Sequence, residues 1–407
     1  MKAIKFMMLL CLLVVFSLAL TFDAAAATSI TVAPGSGPPT TMVKVTGSGF
    51  DVEEAVDVYW DTIDLALAAT NATGKFSATI KVPKDAEPGG HWITAVGRVS
   101  GKAKKRTFTV RTNWAQFRNG RLHKGFNPYE NVLNPETVGG LALAWVAPTA
   151  SFITYSSPAV ANGAVYVGSY DGKLYAFNAA DGRAKTGFPV TTGDSIFSSP
   201  AVAGGWVYVG SEDHKLYAFN AATGRARTGF PVPTGGYIVS SPAVTNDVVY
   251  VGSYDCKLYA FNTATGRAKT GFPVTTGGYI VSSPAVANGV VYVGSADGKL
   301  YAFNAFTGAA KTGFPVSTGD AILSSTAVAN GVVYVGSSDG NLYAFSIVNG
   351  DLLWTAAIGG YNYSSLAVAD GTIYAGRWEK NLYAYNLDAW FETSAAEIGR
   401  ASCRERV

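Results

Sequence analysis

Ser282–Leu323 reads SSPAVANGVVYVGSADGKLYAFNAFTGAAKTGFPVSTGDAIL, and copies of this sequence fill the second half of the 407-residue chain. The Ser-Ser pair that opens each copy recurs at spacings of 42, 42, 42, 42 and 40 residues. The pairs begin at Ser156, Ser198, Ser240, Ser282, Ser324 and Ser364. A repeat of this length that contains several short β-strand patterns predicts a ring-like array of small sheets.

Turn-forming pairs divide each copy into four predicted strands. In the copy quoted above, Asn288-Gly289 allows the positive backbone angles of a tight hairpin after the first strand. A run rich in Val and Tyr follows, and Asp297-Gly298 separates it from Leu-Tyr-Ala-Phe. The fourth strand is predicted over the segment that ends in Lys-Thr-Gly-Phe-Pro-Val. Four strands make one propeller blade, so the sequence predicts an all-β chain with six visible blades at 141–388.

Two blade numbers fit this pattern. Leu141–Val146 has the composition of a fourth strand and precedes the first copy. We expect it to pair with residues 381–386 and to close a six-bladed ring, because closure removes exposed sheet edges. A seven-bladed ring that has lost part of one blade from its C-terminal side is the alternative.

The repeats resemble those of pyrroloquinoline-quinone-type (PQQ-like) β-propeller proteins over roughly residues 113–388. The segment 113–140, which contains Trp114–Arg118, is similar to the linker that leads into such propellers. Gly350–Trp354 matches the family's Gly-x-x-x-Trp docking motif, and Trp145 lies in an equivalent run. The other copies carry Lys-Thr-Gly-Phe-Pro instead, so the usual tryptophan packing between blades is not expected in them.

This resemblance raises the question of catalysis. The quinone enzymes of the family use adjacent cysteines, a calcium ion with acidic and amide ligands, and a catalytic aspartate. The chain has no adjacent cysteines, and no copy carries an additional acidic segment. Non-catalytic relatives, including an outer-membrane assembly scaffold, have the same fold. We therefore expect a non-enzymatic protein without cofactors. The alternative is a propeller enzyme, such as a PQQ- and calcium-dependent dehydrogenase, whose site is lost or unrecognised.

No histidine or aspartate pattern predicts a metal or catalytic site. His91, His123 and His214 lack the spacing of metal ligands. An aspartate recurs in the turn after the second strand of five copies, from Asp171 to Asp339. Because an aspartate in a tight turn can bond its own backbone, we interpret these carboxylates as structural.

The start of the chain predicts export. A short basic segment precedes an apolar run from Phe6 to Phe22, and Ala24–Ala27 offers a cleavage site. This order is typical of a secretory signal peptide over residues 1–27, and the apolar run is short for a membrane span. We expect a secreted or extracytoplasmic protein of the cell envelope or periplasm, with no transmembrane segment in the mature chain.

Residues 28–112 form a separate predicted module. Alternating apolar and polar runs recur there with Gly and Pro turns between them, which indicates a small β-sandwich. Val45–Phe50 resembles the signature of TIG-type immunoglobulin-like domains. Such modules usually serve as spacers or adhesion units.

The last residues do not follow the repeat. Residues 397–407 resemble the translation of a sequencing adapter, which makes 389–396 a truncated end. The formal charge of the chain is +3, to which residues 398–407 contribute +2 and residues 1–27 contribute +1. The remaining chain is neutral, so nucleic acid is not a predicted partner. Its one cysteine, Cys256, cannot form an internal disulfide.

The candidate binding surface is the propeller face whose residues differ between copies. Turns between the second and third strands share this face with the links between blades. The aromatic residues at these positions are Tyr170, Tyr237, Tyr254, Tyr279, Tyr361 and Trp378. Together with Ser-Ser hydroxyls along the inner strands, they suit an extended peptide or sugar rings. We predict a binding or scaffold module for protein or carbohydrate at the cell surface. Hairpin aromatics without a ligand are the alternative, and the oligomeric state is not predicted.

Overall fold

The computed structural model describes residues 27–113, 116–117, 138–359, 364–369, 372–376 and 382–386. Residues 1–26 of the predicted signal peptide, most of the predicted linker and the predicted chain end at 389–407 lie outside these ranges. The described residues form strands and turns, with a single short 3₁₀ turn at Val138–Gly140. None of their helices is long and apolar enough to cross a membrane. The chain divides into two compact units between Arg111 and Thr112.

The N-terminal unit is built from two sheets around one apolar core. Its strands are β1 (Ser29–Ala33), β2 (Ser36–Gly37), β3 (Met42–Ser48), β4 (Ala55–Trp60), β5 (Ile63–Ala69), β6 (Phe76–Lys81), β7 (Gly89–Gly97) and β8 (Ala103–Val110). One sheet has the order β1-β3-β6 and the other the order β2-β8-β7-β4-β5. Along β6, Phe76, Ala78 and Ile80 are buried while the residues between them are exposed. This alternation places one face of each sheet in the core. The immunoglobulin-like assignment stays a prediction.

The described residues of the second unit form six meander sheets, which we number blades 1 to 6. Blade 1 has β9 (Ala159–Ala161), β10 (Ala164–Gly168), β11 (Lys173–Asn178) and β12 (Val190–Thr191). Blade 2 has β13 (Ala201–Ala203), β14 (Trp206–Gly210), β15 (Lys215–Asn220) and β16 (Val232–Pro233). Blade 3 has β17 (Ala243–Thr245), β18 (Val248–Ser253), β19 (Lys257–Asn262) and β20 (Val274–Thr275).

The remaining blades follow the same order. Blade 4 has β21 (Ala285–Ala287), β22 (Val290–Gly294), β23 (Lys299–Asn304) and β24 (Val316–Ser317). Blade 5 has β25 (Ala327–Ala329), β26 (Val332–Gly336), β27 (Asn341–Ser346) and β28 (Leu352–Ala357). Blade 6 has β29 (Ala367–Ala369), β30 (Thr372–Gly376) and β31 (Leu382–Asn386). The first strands of consecutive blades contact one another from β9 to β29, as the inner strands of a propeller do. The predicted all-β propeller is confirmed.

The hairpins between first and second strands have the backbone that the sequence predicts. Asn162 and Gly163 have φ angles of 51° and 73°, and Asn288 and Gly289 have angles of 48° and 74°. Two successive positive φ angles define the tight turn that matches the twist of the strands.

The fourth strands differ from the prediction. In blades 1 to 4, a single bridge such as Phe177–Ala184 starts the strand, a turn interrupts it, and only two residues pair again after the proline. Blade 5 alone among the described blades has a six-residue fourth strand, and it carries Trp354. Lys-Thr-Gly-Phe-Pro therefore forms a turn at the blade edge and not a continuous strand.

This turn joins each of blades 1 to 4 to the next blade. Phe188 packs against Tyr166 of its own blade, with ring centroids 5.9 Å apart, and shares a buried cluster with Val207 and Phe219 of blade 2. Gly187 approaches the backbone of Thr223 and Gly224 so closely that a Cβ has no room. A phenylalanine thus replaces the tryptophan of the family motif in docking. In blade 5, Trp354 of the family motif makes the contact with the next blade, with its ring centroid 5.2 Å from that of Tyr385 in blade 6.

The Ser-Ser pairs tie the inner strands together. In blades 1 to 5, the first serine of each pair accepts a hydrogen bond from a glycine N–H of its own blade, such as Gly210 on Ser198 at 3.1 Å. The second serine accepts one from the N–H of the second serine in the preceding blade. These bonds run from Ser157 to Ser199, Ser199 to Ser241, Ser241 to Ser283, Ser283 to Ser325 and Ser325 to Ser365, at 2.9–3.3 Å. The bonded hydroxyls are engaged, and mostly buried, within the propeller, so the expectation that they serve a ligand is not supported for them. For Ser157, which is exposed and whose hydroxyl takes no hydrogen bond within the described residues, it stays a prediction.

The predicted ring closure is not formed by the described residues. Leu141–Val146 lies outside any strand, and β31 pairs only with β30. Trp145 instead docks on blade 1, where its Nε1 donates to the carbonyl of Ala179 at 3.0 Å. At the other end of the series, Tyr374 is 37% exposed, whereas the equivalent Tyr292 is 1% exposed. The outer face of blade 6 is therefore uncovered in the described part of the chain.

Candidate functional site

One backbone hydrogen bond in each of blades 1 to 5 places the variable turn beside the variable link. The residue after the second strand donates its N–H to a link residue that precedes the Ser-Ser pair of the same blade. Tyr254 donates to Tyr237 at 3.0 Å, and Glu212 donates to Ser195 at 3.0 Å. Positions that are far apart in the sequence therefore form one continuous surface, which the sequence analysis predicts from strand order.

The first aromatic group on this surface consists of Tyr155, Tyr170 and Phe197. The ring of Phe197 lies edge-on to both tyrosines, with centroids 5.2 Å from Tyr155 and 4.7 Å from Tyr170. Both tyrosines are exposed, while Phe197 is half-buried. The contacts fix the two exposed rings against blades 1 and 2.

The second aromatic group consists of His214, Tyr237, Tyr254 and Tyr279. Tyr254 stacks on Tyr279 with a centroid distance of 4.8 Å and an interplanar angle of 12°. Tyr237 meets Tyr254 edge-on at 5.9 Å, and His214 meets Tyr237 edge-on at 4.9 Å. The three tyrosines are 39–45% exposed, so the rings form a contiguous surface across blades 2 to 4 that solvent reaches.

The predicted site residues fall into three sets. Tyr237, Tyr254 and Tyr279 lie together in the second group, and Tyr170 lies in the first. Tyr361 and Trp378 are outside the described residues. Tyr155, Phe197 and His214 belong to the two groups but are not among the predicted residues. Tyr155 and Phe197 directly precede the Ser-Ser pairs of the first two copies, whereas the same position is aliphatic in the third to fifth copies. This departure from the repeat is a sequence signal that could have identified both residues.

His214 and Cys256 occupy a turn position that is glycine in three sibling blades. Both adopt the left-handed backbone conformation, with φ angles of 68° and 63°. This conformation costs a non-glycine residue about 1–2 kcal/mol. Cys256 is half-buried, whereas His214 is exposed and contacts Tyr237. The turn of blade 2 therefore presents an imidazole to the aromatic surface despite backbone strain.

Glu212 lies, in blade order, between the two aromatic groups. Its position is tyrosine in blades 1 and 3, alanine in blade 4 and serine in blade 5. The side chain is half-buried, and no described residue pairs with its carboxylate. Burial raises the pKa of Glu212, and the negative charge of Asp194 raises it further. The same carboxylate contributes to the raised pKa of Tyr254, after burial and Tyr279.

The recurrent aspartates are structural, as the sequence analysis infers. Asp297 accepts the N–H of Lys299 at 3.2 Å and the hydroxyl of Tyr301 at 2.6 Å. Burial and this bond raise the pKa of Tyr301 to about 12. The tyrosine hydroxyl in turn accepts the N–H of Gly277 in the preceding link, at 2.9 Å. Asp171, Asp213, Asp297 and Asp339 each accept the N–H two residues further on and so stabilise their own turns. In Asp255, Oδ2 accepts the hydroxyl of Tyr259 at 2.6 Å, while Oδ1 is buried without a hydrogen-bond partner among the described residues.

The described residues do not fit a calcium–quinone site. Within the described ranges, no three His, Cys, Asp or Glu side chains lie together as metal ligands. The aspartates are spread one to a blade and are bonded within their turns.

Gln116, from the segment that resembles a family lead-in, reaches the inner strand of blade 3. Its amide donates to the carbonyl of Val244 at 3.1 Å and accepts the N–H of Val244 at 3.0 Å. Asn113 accepts the N–H of Asn162 at 3.2 Å. The lead-in residues that are described therefore contact the propeller on the hairpin side of its inner strands.

Comparison with known proteins gives one family match. The sequence model of the family described as outer membrane protein assembly factor BamB matches residues 185–389. No curated protein matches the chain in sequence.

Two solved structures with TM-scores above 0.5 support the fold. The computationally designed protein Ika8 is 14% identical, with a TM-score of 0.55 over 82% of this chain and 97% of its own. Quinohemoprotein alcohol dehydrogenase ADHIIG from Pseudomonas putida HK5 is 18% identical, with a TM-score of 0.55 over 65% of this chain and 56% of its own. BamB from Moraxella catarrhalis is 22% identical over 55% of this chain and 68% of its own, with a TM-score of 0.47. At these identities the likeness concerns the fold alone.

Proposed function

Because the chain belongs to the family of the outer membrane protein assembly factor BamB, we propose that it is a non-catalytic binding or scaffold propeller of the cell envelope. Its ligand is an extended protein segment that lies across the second aromatic group. The family description names an assembly factor for proteins, which favours a protein over a carbohydrate as the partner. The predicted signal peptide supports an extracytoplasmic location.

The observation that carries this proposal is the exposure of Tyr237, Tyr254 and Tyr279 as one set of rings in contact. Exposed tyrosines offer large contact area with few rotatable bonds, and they are enriched at protein interfaces. The opposite propeller face consists of nearly uniform hairpins and turns. The tyrosines instead occupy the positions where the repeat varies, which favours a function over a structural need.

The test measures binding of short unfolded peptides and of a glycan array to the purified full chain. Peptides are expected to bind, and Tyr254→Ala with Tyr279→Ala is expected to weaken them about ten-fold, since buried aromatic anchors dominate such interfaces. Phe306→Ala is the matched control, because this exposed ring lies in a turn of the opposite face. Binding of glycans without peptides, or peptide binding that the tyrosine variant leaves intact, contradicts the proposal.

A second experiment, with added cofactors, tests whether the protein is an enzyme. Pyrroloquinoline quinone and calcium are added to the same protein, and quinone absorbance and the oxidation of alcohols and sugars are followed. We expect no turnover above the cofactor alone. Turnover that requires the protein would overturn the non-catalytic assignment and favour a quinone-dependent dehydrogenase.

A further inference from the structure

The second aromatic group has an acidic border on one side. Glu212 and Asp194 lie at the turn and the link of blade 2, next to the turn and link that carry Tyr254 and Tyr237. Asp194 is exposed and accepts the N–H of Ser195 at 2.7 Å. His214, two residues after Glu212 in the same turn, has its ring centroid 4.9 Å from that of Tyr237, so the turn that carries Glu212 adjoins the second aromatic group. The charge of Glu212 is also one of the causes that raise the pKa of Tyr254, after burial and Tyr279.

No internal cation neutralises this border. Lys215, which directly follows the turn that carries Glu212, is already paired with Asp213 at 3.3 Å. Among the described residues, no lysine or arginine forms an ion pair with Glu212 or Asp194. Burial and the negative charge of Asp194 both disfavour the ionised form of Glu212 and so raise its pKa. A cation beside the carboxylate would stabilise this ionised form.

Aromatic faces and carboxylates attract the same kind of group. The face of a tyrosine ring carries negative electrostatic potential, and a guanidinium or ammonium group placed over it is stabilised. A carboxylate beside the ring adds a charge-assisted hydrogen bond. Glu212 is flanked in blade order by the first and second aromatic groups, so a long cationic side chain can reach a ring and the carboxylate together.

We propose that Glu212 and the adjoining tyrosines form a subsite for a cationic side chain, that of an arginine or lysine in the bound protein segment. This inference rests on the proposed peptide-binding function and specifies its partner as a basic segment. Glu212 provides the charge, and Tyr254, with Tyr279 stacked on it, provides the aromatic surface. Asp194 increases the negative potential from the adjoining link.

The test compares three synthetic peptides that are identical except at one central residue, which is arginine, lysine or citrulline. Citrulline has the shape of arginine without its charge, so the ratio of dissociation constants isolates the charge. On the unmodified full chain, the arginine peptide is expected to bind about ten-fold more tightly than the citrulline peptide. Glu212→Gln is expected to abolish this ratio while the citrulline peptide keeps its affinity.

Two further variants make the comparison specific. Glu212→Tyr introduces the residue that blades 1 and 3 carry, which guards against a local folding defect in the glutamine variant, and it is also expected to abolish the ratio. Asp64→Asn removes one exposed carboxylate from the N-terminal unit and is expected to leave the ratio unchanged. Equal thermal midpoints of the variants verify that each one folds.

The outcomes distinguish the subsite from the function on which it rests. Equal affinity for the arginine and citrulline peptides overturns the cationic subsite alone, as does an arginine preference that survives both Glu212 variants. If none of the peptides binds, the proposed peptide-binding function fails and the subsite fails with it.

Discussion

At the scale of single residues, the serine pairs define the geometry of the propeller centre. The second serines of blades 2 to 6 each accept, through the hydroxyl, a backbone N–H of the preceding blade that would otherwise have no partner. Ser241 is 5% exposed and accepts the N–H of Ser199, which is 2% exposed, at 3.0 Å. One side-chain oxygen therefore joins two blades that are 42 residues apart.

Replacement of Ser241 by alanine tests this role. The change leaves the buried N–H of Ser199 without its acceptor, which costs about 1–3 kcal/mol of unfolding free energy. Ser157→Ala is the control, because this serine is exposed and its hydroxyl takes no hydrogen bond within the described residues. Urea unfolding of the propeller measures both variants. Equal midpoints would show that the serine bonds add nothing to stability.

At the scale of elements, the junction between blades depends on two glycines that meet. In blades 2 and 3, Gly229 of the Lys/Arg-Thr-Gly-Phe-Pro turn lies against Thr265 and Gly266 of the next blade. The same approach recurs between the other neighbouring blades up to Gly313 and Gly350. Because neither glycine has a Cβ, the phenylalanine of the turn can enter the groove between the blades.

Gly229→Ala is expected to open this junction. Its φ of 87° is unfavourable for alanine, and the added methyl group meets the backbone of Thr265. Gly205→Ala shares the backbone penalty, with a φ of 79°, but has open space around its Cβ. The difference in unfolding free energy between the variants isolates the packing clash, and we expect about 1–3 kcal/mol. A difference near zero would contradict the close junction.

At the scale of the whole molecule, the two units have separate cores. The buried cluster of the N-terminal unit draws its members from Ile30 to Val110. Five buried clusters of the second unit each draw on two adjoining blades, such as blades 1 and 2 around Phe188. The sandwich therefore folds around its own core, whereas a blade needs its neighbours.

Calorimetry is accordingly expected to resolve two transitions, of which one depends on His91. This histidine stacks on Trp60 and bonds Asp61 at 2.7 Å and the Glu87 carbonyl at 2.8 Å through its two ring nitrogens. Burial lowers the pKa of His91, but these acceptors outweigh it and raise the pKa overall.

The sign of the pH effect follows from this shift. The stabilisation by protonated His91 is complete below the unfolded pKa of about 6.5 and is lost as pH rises through the folded pKa. The midpoint temperature of the N-terminal transition is expected to decrease as the pH is raised from about 6 to about 8. His91→Gln is expected to remove this dependence and to leave the propeller transition in place. A single transition that the variant shifts as a whole contradicts independent units.

The sequence predicts two kinds of feature: the blades, which follow from the repeat, and the surface residues at which one copy differs from the others. The period and turn pairs are sufficient for the blades, and Tyr237, Tyr254 and Tyr279 are found because their siblings differ. The serine bonds and the glycine contacts join residues of different blades, so no local pattern contains them. His214 is missed because its importance lies in a backbone angle and in a ring on the next blade.

The serine bonds also have a direction. Each inner strand donates towards the following blade and accepts from the preceding one. A blade inserted by duplication brings its own donor and its own acceptor, so both of its neighbours find the partner that they had before. The 42-residue units are therefore interchangeable. A gene that gains or loses one copy still encodes a complete set of serine hydrogen bonds between neighbouring blades. Identical joints permit growth of the array, while the variable face is free to acquire a different ligand in each blade.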